Sequence, residues 1–302
     1  MPSYDFVTVN VFTQHRFGGN PLAVLPDAGG LSDAHMQAIA ADFNLSETTF
    51  VLPPDNPRHH ARVRIFTPRT EMPFAGHPNV GTGFVLATMA GDPPDHYTFE
   101  EIAGLVRVHI QRDPAGVISG ARVAAPKSLS IDIAVPTDLV AACAGLTEDD
   151  IATDTHTPLV ASVGTPFIIA EVRSLDALAR ARPDLAAFRR GAEAFPALAH
   201  RFNLHLYVRK DGDATHLRTR MFAPLSGVLE DPATGSANAA LAALLTSMAP
   251  GENVDLHYQI EQGLELGRPS EIIASARKTA EGPVSASVAG TCVAVGRGTL
   301  TV

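Results

Sequence analysis

Residues 66–89 read FTPRTEMPFAGHPNVGTGFVLATM, with no charge between positions 78 and 90. A helix that is apolar on every side belongs in a core, not on a surface. The pattern therefore predicts a strand end, a turn and a buried helix. His77 is expected just ahead of that helix, where unpaired N–H groups and a partial positive charge collect. A second uncharged stretch at 232–249 predicts a second such helix. Arg220-Met221-Phe222-Ala223-Pro224 echoes Arg64-Ile65-Phe66-Thr67-Pro68, and Asp231-Pro232-Ala233-Thr234-Gly235-Ser236 echoes His77-Pro78-Asn79-Val80-Gly81-Thr82. On this reading [His/Asp]-Pro-x-x-Gly-[Thr/Ser] opens a buried helix in each half, and the active site lies between the two openings.

Around these helices the periodicity predicts mostly strands. Residues 4–12 alternate and form an opening strand, and 22–25 a short buried one after the turn at 18–21. Ser32 caps a helix whose apolar face is Met36, Ile39, Ala40 and Phe43, with Asn44 as its stop. Strands are expected from Glu47 and over 61–66, then over 97–101, 105–111 and 116–124. The first half ends near residues 125–127.

A comparable series follows. Residues 163–169 resemble 18–24, 175–181 are helical, Phe202-Asn203-Leu204 matches Phe43-Asn44-Leu45, and 206–208 answers 49–51. The remaining strands are expected at 254–257, 263–268, 271–276, 283–288, 291–295 and 300–302. Repeated order with weak identity points to duplication and two similar domains. Their expected limits are 1–124 with 289–302, and 125–288.

A chain of 302 residues, 45% hydrophobic and 18% charged, has core enough for two such domains. A net charge of −9 argues against nucleic acid or an anionic membrane as partner. Cys143 and Cys292 make neither a disulfide framework nor a metal knuckle. The opening MPSYDFVTVNVF lacks a basic segment, and the 232–249 run is too polar to span a bilayer, so a cytoplasmic location is expected.

Three acid/base groups stand beside the repeats: Glu47, His77 and Asp231. Burial of Glu47 among apolar residues would raise its pKa and suit it to general acid/base work. Taken singly, Glu47 reads as a solvated strand end, His77 as a turn histidine and Asp231 as a helix cap. Their weight comes from His77 and Asp231 occupying the same place in the two repeats. Two helix openings facing one cleft would bind a carboxylate through backbone N–H groups. Gly76, Gly81 and Gly235 would admit close approach, and Thr82 and Ser236 would add hydroxyl donors. Phosphate-loop, dinucleotide, zinc-protease and nucleophile-elbow motifs are absent, and the three lysines sit beside polar or turn-like residues. His59-His60 lies in a polar loop and reads as solvated, not as a metal site.

These features together resemble the PhzF-like family of phenazine-biosynthesis isomerases, within the diaminopimelate-epimerase-like superfold. The resemblance is carried by Gly19-Asn20-Pro21-Leu22-Ala23-Val24, by Asn44-Leu45-Ser46-Glu47-Thr48-Thr49-Phe50-Val51, and by Arg64-Ile65-Phe66-Thr67-Pro68. Pro73-Phe74-Ala75-Gly76-His77-Pro78, Glu230-Asp231-Pro232-Ala233-Thr234-Gly235-Ser236-Ala237, Gly267-Arg268-Pro269-Ser270 and Gly296-Arg297-Gly298-Thr299 extend it over the chain. It implies an α+β fold of two pseudo-symmetric domains, each a β-barrel-like sheet wrapped around a central apolar helix. It also implies a homodimer, and a site in the interdomain cleft.

Carried over, Glu47 moves a proton between carbons of a small carboxylated, anthranilate-like ring, and His77 and Asp231 assist. Asn20, Ser46, Gly76, Gly235 and Ser236 are the implied substrate contacts. Neither metal nor cofactor is called for. The thiol-using epimerases of the superfold carry a cysteine at each helix opening, where this chain has His77 and Asp231. An amino-acid racemase or epimerase, or a non-catalytic ligand-binding relative, are the alternatives.

Overall fold

A computed structural model describes residues 1–198, 201–210 and 213–302. The chain divides into two compact units, Met1–Pro126 with Val288–Val302, and Lys127–Ser287. The first begins β1 (Ser3–Val11), β2 (Asn20–Leu25), α1 (Asp33–Phe43), β3 (Glu47–Leu52) and β4 (Ala61–Phe66). It continues β5 (Glu71–Met72), α2 (Gly76–Met89), β6 (His96–Glu101), β7 (Gly104–Arg112) and β8 (Ile118–Ala124). The second runs β9 (Ser130–Ala134), α3 (Thr137–Ala144), β10 (Ile151–Ala152), β11 (Leu159–Ser162) and β12 (Pro166–Val172). Next come α4 (Leu175–Arg180), α5 (Leu185–Ala194), β13 (Leu204–Arg209), β14 (His216–Ala223) and β15 (Val228–Asp231). The chain ends with α6 (Gly235–Met248), β16 (Val254–Gln262), β17 (Ser270–Thr279) and β18 (Gly282–Thr301).

In the first unit the strands close on themselves. Following the pairings, β18 joins β1, then β2, β3, β4, β6, β7 and β8, and β8 returns to β18. This eight-stranded barrel surrounds α2, which lies against β1, β2, β3, β7 and β8. Every α2 residue from Gly76 to Val85 is buried, as an uncharged helix requires. Gly81 and Gly83 let the helix sit close to the wall. A Cβ on Gly81 would lie 2.6 Å from Leu22 Cδ2, and one on Gly83 2.6 Å from Val108 Cγ1.

Strands β2 and β3 are parallel, so α1 is their crossover. Its Met36 and Ala40 pack with Leu25, Phe50 and Phe66. The expected caps are in place: Ser32 Oγ accepts from the His35 N–H, and Asn44 is left-handed at φ 49°. With α1 on one face and α2 on the other, β2 is buried on both sides and shows no alternation.

The second unit repeats the plan. Its strands pair in the order β9, β11, β12, β13, β14, β16, β17, with β12 and β13 parallel. Helix α6 lies against β11, β12, β16 and β17. Ile168, Ala170, Val172, Leu204, Leu206 and Val208 bury the other strand faces with α3, α4 and α5.

Three expectations change. Residues 263–268 are not a strand: Gly263 and Gly267, at φ 77° and 68°, bracket the single helical turn Leu264–Leu266. The strands expected at 283–288, 291–295 and 300–302 are one, β18, because Gly290 lies within a strand. There it serves close approach, since a Cβ on Gly120 would come 2.0 Å from the Gly290 carbonyl oxygen. Finally, α2 starts at Gly76, so His77 lies in its first turn, whereas Asp231 ends β15, ahead of α6.

Gly120→Ala should therefore cost about 3 kcal/mol, at the upper end for overpacking, because backbone on both sides of the β8–β18 seam cannot yield. Urea unfolding of the variant against the natural chain checks this.

Candidate functional site

The polar groups of the first unit gather where α2 opens. Leu22 of β2 pairs with Glu47 of β3, which brings Asn20, Pro21 and Glu47 to one end of the barrel. The first turn of α2 supplies Gly76 and His77 there. His77 Nδ1 lies 3.4 Å from Glu47 Oε2, with the two side chains 5% and 16% exposed. Asn20 is fully buried, and Ser46 is half-buried immediately before β3.

Burial pushes the His77 pKa from its ordinary 6.5 down to about 3, with the Pro21 carbonyl acting weakly the other way. The imidazole is therefore neutral, and its contact with Glu47 is not an ion pair. A carboxyl beside a neutral imidazole, both largely shielded from water, is a set of groups between which one proton can move. Thr82 is buried with its hydroxyl 2.8 Å from that of Thr49, and Gly81 faces the barrel wall.

In the second unit Asp231 is buried, and its Oδ2 accepts from the Thr234 hydroxyl at 2.5 Å. Gln262 Nε2 donates to the Asp231 carbonyl at 2.9 Å and to Thr234 Oγ1 at 3.2 Å. Gln262 Oε1 accepts from Thr234 N–H at 3.1 Å and from Asn238 Nδ2 at 2.7 Å. Thr234, not Asp231, is the residue that precedes α6 as its cap. Gly235 is buried, whereas Ser236 is half-buried, the one residue of 231–246 that is not buried.

Strand registers fix which residues correspond. Ile65 pairs with Met72 and Met221 with Asp231, so Asp231 answers Met72. Three residues separate each of these from its helix, so Gly235 answers Gly76 and Ser236 answers His77. The shared His/Asp-Pro motif is thus offset from the structural repeat, and His77 and Asp231 do not hold equivalent positions.

The signal that does coincide is Pro-x-x-Gly-x-x-Asn, at Pro73, Gly76 and Asn79 and again at Pro232, Gly235 and Asn238. In both units the asparagine Nδ2 donates to the carbonyl of the residue before the helix, Ala75 or Thr234, at 3.0 Å. An Arg–Glu ion pair also recurs in both units, with no local sequence signal to mark it. Arg64 grips Glu71 through Nε and Nη2 at 2.6 and 2.7 Å, and Arg220 grips Glu230 at 2.8 and 2.7 Å. Both secure the hairpin that leads into a buried helix. Among the described residues no cluster of three or more His, Cys, Asp or Glu could hold a metal ion. No described helix is long and apolar enough to cross a membrane.

Comparison with known proteins decides the family. The model of phenazine biosynthesis-like proteins, PhzC-PhzF, matches residues 9–298. The chain belongs to the PhzC-PhzF family. It is 40% identical over 280 residues to an uncharacterized isomerase of Mesorhizobium japonicum, covering 90% of each chain. It is 34% identical over 303 residues to the trans-2,3-dihydro-3-hydroxyanthranilate isomerase of Pseudomonas fluorescens, covering 98% of this chain and 99% of that one. A crystal structure of the PhzF-family protein of Bacillus anthracis superposes with a TM-score of 0.87 at 25% identity, covering 100% of both. The α+β barrel fold and membership in an isomerase family follow for this PhzC-PhzF chain.

Because the unfolded chain protonates His77 near pH 6.5 and the folded chain only near 3, stability from the neutral ring is complete above 6.5 and is lost as pH falls between them. The loss should approach about 1.4 kcal/mol per pH unit over that window. His77→Asn should remove it, as measured by chemical denaturation at a series of pH values.

Proposed function

We propose that this family member is a cofactor-independent isomerase that moves a proton between carbons of a small carboxylated ring. Glu47 is the acid/base group, His77 takes or supplies the proton beside it, and Asp231 assists. Asn20, Ser46, Gly76, Gly235 and Ser236 are assigned to substrate binding. The observation that carries the reading is the 3.4 Å approach of Glu47 to a buried, neutral His77 at the opening of α2. The similarity to the Pseudomonas fluorescens enzyme supports trans-2,3-dihydro-3-hydroxyanthranilate as the first compound to try.

The chemistry is consistent with that choice. A carboxylate is a weak base toward carbon, so the substrate must delocalise the charge that forms. A C–H allylic to a conjugated carboxylate or enamine does this unaided. Desolvation and positioning then supply much of the rate. Thiol chemistry has no support here: Cys143 and Cys292 are buried, burial pushes the Cys143 thiol up to about 12, and Cys292 is pushed up further.

Glu47→Gln should fold with a melting temperature near that of the natural chain, while turnover falls by about 10²- to 10⁴-fold, the usual worth of a positioned general acid/base. The assay follows isomerisation of trans-2,3-dihydro-3-hydroxyanthranilate and deuterium uptake from D₂O. Turnover by the variant at the natural rate refutes the assignment of Glu47. Exchange confined to the α-position of amino acids places the protein among racemases or epimerases instead.

A further inference from the structure

Glu101 ends β6 and has no part in the roles assigned above. Strand registers identify its counterpart. In the first unit β4 runs parallel to β6, with Arg62 opposite Glu100. In the second β14 runs parallel to β16, with Arg218 opposite Glu261 and Thr219 opposite Gln262. The equivalence of Ile65 with Met221 makes Arg62 the counterpart of Arg218, and so Glu101 the counterpart of Gln262.

Gln262 holds the opening of α6 together because an amide both donates and accepts: it gives to Asp231 and Thr234 and receives from Thr234 and Asn238. An ionised carboxylate at the same place could only accept. Both Glu101 carboxyl oxygens are shut off from solvent, and neither receives a hydrogen bond of normal geometry among the described residues. The Oδ1 of Asn79, the counterpart of Asn238, is likewise buried without a partner among them.

Burial pushes the Glu101 pKa from 4.5 up to about 8, with only the nearby Asn79 amide favouring the charged form. The surrounding charges are engaged elsewhere or make no contribution. Arg62 and Arg64 of β4 turn to Asp55, and to Asp33 and Glu71. Glu100 holds His59, and Arg107, His109 and Arg112 of β7 do not act on Glu101. His77 of α2 is neutral.

We propose that Glu101 is a positioning residue whose protonated carboxyl imitates the Gln262 amide. Its carbonyl oxygen takes the Asn79 amide, and its O–H braces the turn at 72–75 from which α2 and His77 emerge. The functional meaning rests on the role proposed for His77, but the tests below involve no turnover and can fail or succeed apart from it.

A carboxyl whose pKa is raised on folding contributes fully below about 4.5, and the contribution is lost as pH rises toward about 8. Glu101→Gln keeps the donor and acceptor at every pH; Glu101→Ala keeps neither. The melting temperature of Glu101→Gln should therefore gain on the natural chain from pH 5 to about 8 and hold that lead above it. Glu101→Ala should melt below Glu101→Gln throughout.

The His77 ring resonance, assigned with His77→Asn, should move in the natural chain with a midpoint near pH 8, and should not move in Glu101→Gln. A melting difference that is flat with pH overturns the proposal. So does a His77 step that is missing from the natural chain or that persists in Glu101→Gln. If neither Glu101 variant folds, the His77 step in the natural chain decides alone.

Discussion

A helix without a polar face cannot rest on a flat sheet, because half of its surface would still meet water. That constraint shapes the first unit. A sheet that bends around α2 and closes satisfies it on every side, and the eight strands from β18 through β8 do so. Closure in turn requires the narrow places, with Gly81 and Gly83 against the wall and Gly120 against Gly290. Polar groups are then confined to the barrel end where the helix begins, since its first N–H groups need partners there. The proximity of Glu47 and His77 follows from this confinement.

The two units keep the scaffold and vary what stands on it. The Arg–Glu grip and the asparagine that bonds the cap carbonyl occur in both. These fix the approach of the chain to a buried helix, so they are tied to the fold and not to a reaction. By contrast Met72 answers Asp231, His77 answers Ser236 and Glu101 answers Gln262. Each exchange alters charge or hydrogen-bonding capacity at the helix opening, which is where duplicated halves are free to take different chemical parts.

Local signals in the sequence were legible where short-range physics sets the structure. Ser32, Asn44 and the start of β3 at Glu47 come out directly, because capping and strand propensity act over a few residues. The apolar helices were equally plain. Correspondence between the halves was harder: the eye pairs His77-Pro78 with Asp231-Pro232, while strand register pairs Pro73 with Pro232. The turn at 264–266 was hidden because leucines at alternate positions imitate a strand, and left-handed glycines at its ends decide otherwise. Glu101 looks in the sequence like any strand end, since nothing local marks a carboxyl whose surroundings come from distant segments.

β18 has a consequence for how the protein is assembled. Its first residues belong to the second unit and the rest, from Val288, to the first. The barrel of the first unit therefore lacks a stave until β18, far along the chain from β1, has been synthesised. A nascent product that stops before Val288 carries an open seam between β1 and β8, exposing unpaired edges that invite mispairing until β18 fills it.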